Sequence, residues 1–226
     1  MKGLFLVAGQ YRVMKHSRFR TGGREVIISS DTDDRPLLQG EVLSWLEQSR
    51  VIPSVRSPHT VAAACASPAK LVFLLFGTPL TIGELVAQVK DAGKLPIANT
   101  DLLAGFARDT AAIEFLAAAG VAGIISTHQD ALRTARAHGL LAFQRTFALD
   151  SVAVANSVRT LEHFQPDVME LLPALAAPIV LPAIHEVRPD LPVIGCGLVR
   201  SLSQIDELVR QGVVSISVSE PSLWVI

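Results

Sequence analysis

The chain has 226 residues and a formal net charge of −1, with half its residues hydrophobic and 18% charged. This excludes a disordered protein and suits one large or two small globular domains with a substantial core. No apolar run approaches the ~20 residues that span a bilayer. Two cysteines, Cys65 and Cys196, are too few for a disulfide framework and have no metal-site spacing, so the expected setting is a reducing cytoplasm.

Residues 1–50 read as an N-terminal extension. They hold eight Lys or Arg and six Asp or Glu, and the first 24 residues carry no acid while holding Lys2, Arg12, Lys15, Arg18, Arg20 and Arg24. Such an arm is a solvated tail, the product of an early start (Met14 is an alternative first residue), or a contact to nucleic-acid phosphates. Gly3–Gly9 is apolar but short and lacks a small-residue cleavage pattern, which argues against a signal peptide.

From Val51 to Ile226, short aliphatic runs alternate with helical patterns. Val51–Val55 precedes a helix over 58–66, and Leu71–Phe76 one over 81–92, where Thr81 and Glu84 have capping-box spacing. Leu95–Ala98 leads to a helix over 109–119, Val121–Ser126 to one over 129–138, and Leu140–Phe147 to one over 151–164, with Asp150 or Ser151 as cap. Val168–Leu172 precedes a helix over 177–187, and Leu191–Ile194 a helix from Leu202. Val213–Val218 is the last strand, and Leu223–Ile226 either packs under the barrel or meets a second subunit. Gly93, Gly120, Gly139 and Gly212 stand where helices end before strands. Eight strands with crossover helices predict a (β/α)8 TIM-type barrel over 51–226. The runner-up, an open doubly wound sheet, lacks its G-x-G-x-x-G signature.

Polar residues gather at the C-terminal ends of these strands, the face where barrels bind ligands: Asp101, Ser126, Thr127, His128, Gln144, Arg145, Asp150, Glu170, Ser217 and Ser219. Gly195-Cys196-Gly197 after the seventh strand lets backbone amides approach an anion, and the helix that follows adds its dipole. The site expected here takes a small phosphate through Gly195, Gly197, Ser217, Ser219, Arg145 and Arg200, with Asp101, Thr127, Gln144 and Glu170 as further polar contacts.

The runs NTDLLAG (99–105), GIIST (123–127), FQRTFALDS (143–151), PDVMELLP (166–173) and IGCGLVRS (194–201) together resemble the glycerol-3-phosphate-responsive antiterminators of the glycerol uptake operon. The resemblance covers about 51–226 and places Asp101, Ser126, Thr127, Gln144, Arg145, Asp150, Glu170, Gly195, Gly197 and Arg200 at matching positions. It implies a barrel without catalysis or cofactor that binds glycerol 3-phosphate and then acts on leader mRNA. The chain departs from the pattern at Asn99, Ala104, Cys196 and Glu220.

Two alternatives stand beside this reading. One is an enzyme acting on a small phosphate ester through Asp101 and Glu170, although the chain shows no activated nucleophile, strand-end Schiff-base lysine or metal motif. The other is a sensor that signals through assembly. For RNA, Arg133 and Arg136 lie three apart on one helix face, and a homodimer would present them twice.

Overall fold

The computed structural model describes the backbone of residues 16–21, 24–29 and 35–225 and the side chains of residues 40–225. Lys2, Arg12, Met14, Lys15 and Ile226 lie outside the described residues. Strands β1 (His16–Thr21) and β2 (Arg24–Ser29) pair antiparallel, and α1 (Arg35–Gln48) follows. Arg18, Arg20 and Arg24 of the basic arm fall on this strand pair.

The remaining chain alternates: β3 (Val51–Val55), α2 (Val61–Ala66), β4 (Leu71–Leu74), α3 (Ile82–Asp91), β5 (Leu95–Asn99), α4 (Thr110–Ala119), β6 (Gly123–Ser126) and α5 (Gln129–Ala137). It continues as β7 (Leu141–Phe147), α6 (Ser151–His163), β8 (Val168–Leu172), α7 (Ala177–Val187), β9 (Val193–Cys196), α8 (Leu202–Arg210) and β10 (Ser215–Val218). Strands β3 to β10 are parallel, and β10 pairs with both β9 and β3, closing the expected (β/α)8 barrel. A 3-10 turn at Pro221–Leu223 stands where an eighth helix would be. Trp224 is buried and its Nε1 donates to Val218 O at 2.9 Å, so Leu223 and Trp224 pack within the chain, while Val225 is exposed.

Strand alternation divides the core in two. One face of each strand, with Ile52, Phe73, Ile97, Phe143 and Ile194 among its residues, fills the barrel, where Phe73 and Phe143 meet edge to face at 5.4 Å. The other face, including Val72, Ile124 and Met169, packs under the helices. Val42 and Leu46 of α1 join the interior cluster, so α1 covers the end of the barrel where the strands begin.

Gly93, Gly120, Gly139 and Gly212 all take positive φ after their helices, as their placement predicts. Asp109, Asp150 and Ser201 accept from the third residue of their helices, caps worth about 1 kcal/mol each. The capping box at Thr81 is not formed. Its hydroxyl turns back to accept from Thr78 N at 3.0 Å, and the Glu84 carboxylate accepts from Gln88 instead. Among the described residues no helix is long and apolar enough to cross a membrane.

Candidate functional site

At the C-terminal mouth of the barrel lies a cavity of about 410 Å3. Its wall includes Ser54, Arg56, Arg145, Cys196, Gly197, Leu198, Ser217, Ser219 and Glu220, contributed by the ends of β3, β7, β9 and β10. Residues two apart on a strand share a face, so Arg145 follows Leu141 and Phe143 into the interior, and Ser217 follows Ser215.

Glu170 organises the floor of this cavity. It has no exposed surface; its Oε2 accepts from Arg145 Nε at 2.7 Å and its Oε1 from Ser217 Oγ at 2.8 Å. Strands β7 and β8 pair in register at Arg145 and Glu170, which places the two charges side by side. Burial alone would lower the Arg145 pKa, but the charge and hydrogen bond of Glu170, with help from Asp101, hold it above its ordinary value. Arg145 is therefore a fixed cation whose Nε is turned to Glu170. Burial, and then the charge of Glu170, push the Cys196 thiol well up, so it faces the site as a neutral group.

Arg56, exposed at the end of β3, donates from Nε to Ser219 Oγ at 3.0 Å and so brings a second cation to the mouth. Sequence reasoning passed over it, because one arginine after a short strand looks like any solvated loop residue. The signal available was its position at a strand C-terminus in an eight-strand count. Glu220, the departure that would repel an anion, accepts through Oε1 from both the backbone and hydroxyl of Ser222, capping the terminal turn. The buried Ser54 hydroxyl, on the cavity wall, has no partner among the described residues.

The two glycines divide their roles. A Cβ on Gly195 would lie 2.8 Å from Ala174 Cβ, so this glycine serves the close approach of the 3-10 turn after β8. Gly197 has φ +77, lines the cavity, and a Cβ there would lie 2.6 Å from Leu172 Cδ1. Leu198 follows with φ 62, the one positive φ outside glycine among the described residues.

A second polar cluster joins β5 to β6. Asp101 Oδ1 accepts from Ser126 Oγ at 2.8 Å, and Oδ2 accepts from Thr127 N and Oγ1 at 2.7 and 2.9 Å. Asn99 Oδ1 accepts from Asp101 N, while the fully buried Asn99 Nδ2 has no partner among the described residues. Neither Asp101 nor Thr127 lines the cavity itself. Gln144 sits on the opposite strand face from Arg145 and donates to Thr160 Oγ1 of α6 at 3.0 Å. Arg200 is exposed, outside the cavity wall, with its backbone N bonded to Gln204 Oε1.

Arg133 and Arg136 share a helix face as expected, and both stack on Phe164, at 5.0 and 5.8 Å from the ring centroid. They donate to the backbone carbonyls of His163 and Gln165, at the junction that leads into β8.

The model of the glycerol-3-phosphate responsive antiterminator family matches residues 51–224. The chain belongs to this family. The family match starts where β3 starts and spans the closed barrel. The uncharacterized protein YgcP of Escherichia coli K12 is 30% identical over 184 residues, 81% of this chain and 95% of that protein. Two crystal structures are similar along nearly their whole length. The glycerol uptake operon antiterminator regulatory protein of Listeria monocytogenes is 29% identical with TM-score 0.72, covering 78% of this chain and 95% of that one. A glycerol uptake operon antiterminator-related protein of Thermotoga maritima is 31% identical with TM-score 0.71, covering 78% and 98%. Solved aldolases of 10–17% identity share the barrel fold alone. Membership of an antiterminator family makes regulation, rather than catalysis, the frame in which the mouth of this barrel is to be read.

Proposed function

We propose that this chain binds glycerol 3-phosphate at the barrel mouth and, in that state, binds the leader mRNA of a glycerol-utilisation operon to prevent transcription termination. The observation that carries the ligand half is the cavity between Arg145 and Arg56, walled by Ser54, Ser217, Ser219 and the Gly197 turn. Two cations and several hydroxyls around about 410 Å3 suit a small dianion with a polyol tail. The phosphate sits between the two guanidiniums against the Gly197–Val199 turn, and the orphan Ser54 hydroxyl meets a glycerol hydroxyl. An analogue lacking that hydroxyl would leave a buried polar group unpaired, which is how such a pocket selects. Glu170 acts by aiming Arg145 and Ser217, and Asp101 by bracing the β5 and β6 ends.

Isothermal titration and thermal unfolding with sn-glycerol 3-phosphate test the ligand half. Saturation at 100 times Kd should stabilise the chain by about 2.7 kcal/mol; no heat and no shift at millimolar ligand would overturn it. For RNA, the reading rests on Arg133 and Arg136, with the positive charge of the 12–24 sequence as a second contribution. Filter binding to the operon leader should need ligand and weaken as salt rises. Equal binding with and without glycerol 3-phosphate would overturn the coupling, and unchanged binding by Arg133→Glu would remove that surface.

The enzyme alternative draws no support from these carboxylates. Both oxygens of Asp101 are engaged by Ser126 and Thr127, and both of Glu170 by Ser217 and Arg145.

A further inference from the structure

Helix α6 is thirteen residues long, yet only Leu161 in it is buried. By contrast, α3 and α7 bury four residues each. Helices in proteins owe most of their stability to a packed face, and α6 is also rich in valine, a poor helix former. Its own barrel covers it thinly.

What it leaves open is apolar. Between α6 and α7 runs a groove of about 720 Å3, floored by Val154, Ala155, Val158 and Val180. Leu149 and Ile179 stand on its edges at 78% and 80% exposure. Five of the eleven exposed large hydrophobic side chains of the described residues (Phe147, Leu149, Val152, Leu175, Ile179) fall on the segments around it. Soluble monomers rarely concentrate such side chains in one patch. Arg159 and Glu162 line the same groove, and neither has an ion-pair partner among the described residues.

We propose that this face is a two-fold interface between two copies of this chain, with the α6–α7 groove of each receiving Leu149 and Ile179 of the other. An isologous interface must be complementary to itself, so one patch must carry both protrusion and socket. This patch does: projecting Leu149 and Ile179 border a cleft floored by small and branched side chains. The charges obey the same condition. Arg159 and Glu162 are of opposite sign on one patch, so a two-fold axis across the groove sets each against its opposite on the second copy. A partner of other sequence would have to reproduce this pattern, whereas a second copy carries it already. The proposal does not depend on the ligand or RNA reading, since none of these residues belongs to the cavity at the mouth.

Sedimentation velocity of the full chain from about 1 to 100 μM, the range in which a micromolar dimer dissociates, should show twice the 24.2 kDa chain mass. Its melting temperature should rise with concentration. Ile179→Asp should be monomeric. Arg159→Glu alone should weaken dimerisation by about tenfold or more, since the like-charge contact occurs twice, and Arg159→Glu with Glu162→Arg should restore most of it. The charge variants alter exposed side chains only, so they keep the test open if Ile179→Asp fails to fold. A wild-type chain that is monomeric throughout would overturn the proposal, including the case where its own residues 1–15 or another partner occupy the groove. A dimer indifferent to both Ile179→Asp and Arg159→Glu would equally overturn it by placing the interface elsewhere.

Discussion

Glu170→Gln tests the centre of the site. The native carboxylate has no exposed surface, and Arg145 is 11% exposed in its side chain, so their 2.7 Å contact is a buried ion pair. Removing one partner from such a pair costs about 3–5 kcal/mol, because a charge is left without compensation. Glutamine keeps one acceptor for Arg145 Nε, and Asp101 still contributes negative potential there, which places the variant at about 3 kcal/mol. For a chain of this size that is a fall in melting temperature of about 6–12 °C. Arg145→Met strands the opposite charge and should cost a similar amount. The double variant removes both charges and should cost at least 2 kcal/mol less than the sum of the two, on the order of coupling seen between contacting groups. The assay is urea unfolding of the four chains at neutral pH. Inorganic phosphate should also stabilise Glu170→Gln more than the wild type, since its Arg145 lacks a counter-ion. Additive losses in the cycle, or a single variant as stable as the wild type, would refute the reasoning.

Three further outcomes are expected. Gly197→Ala combines a left-handed backbone with a Cβ 2.6 Å from Leu172 Cδ1; the strain is about 1–2 kcal/mol and the clash about 1–3 more, read as a lower melting temperature. The native fold keeps the Cys196 proton above pH 9.0, where the unfolded chain loses it. Stability is therefore unaffected by this thiol below that value and falls by up to about 1.4 kcal/mol per pH unit above it, and chemical unfolding between pH 8 and 10.5 should show this part of the slope lost in Cys196→Ala. Arg56→Ala, an exposed change, should weaken glycerol 3-phosphate binding by about tenfold or more in titration while leaving the melting temperature of the free chain nearly unchanged.

The barrel was legible because its signals repeat. Each strand is a short apolar run, and glycines at 93, 120, 139 and 212 mark helix ends with the positive φ they require. The site was legible in part. Arg145 and Glu170 stood out as charges within strands, but which atoms they face depends on strand registry, which joins Arg145 to Glu170 across β7 and β8. Gln144 was grouped with Arg145, although neighbours on a strand point to opposite faces, and it meets Thr160 on α6. Arg56 lay unseen because a loop arginine has no pattern around it. Gly195 read like Gly197, yet only the nearness of Ala174 shows that it makes room for packing.

Helix α1 ends at Gln48, three residues before the region shared with the family begins. A chain cut at that shared boundary would keep all eight strands and lose Val42, Trp45 and Leu46 from beneath the barrel. Ile52, Leu71, Leu95 and Leu141 belong to the cluster those residues complete, and their lower ends would meet water. The loss is about 1.5–3 kcal/mol for each fully buried side chain. More telling is where it falls: a wet, greasy underside invites barrels to stick base to base. A shortened chain would thus look complete in topology and still gather base to base through a face that α1 covers in the intact protein.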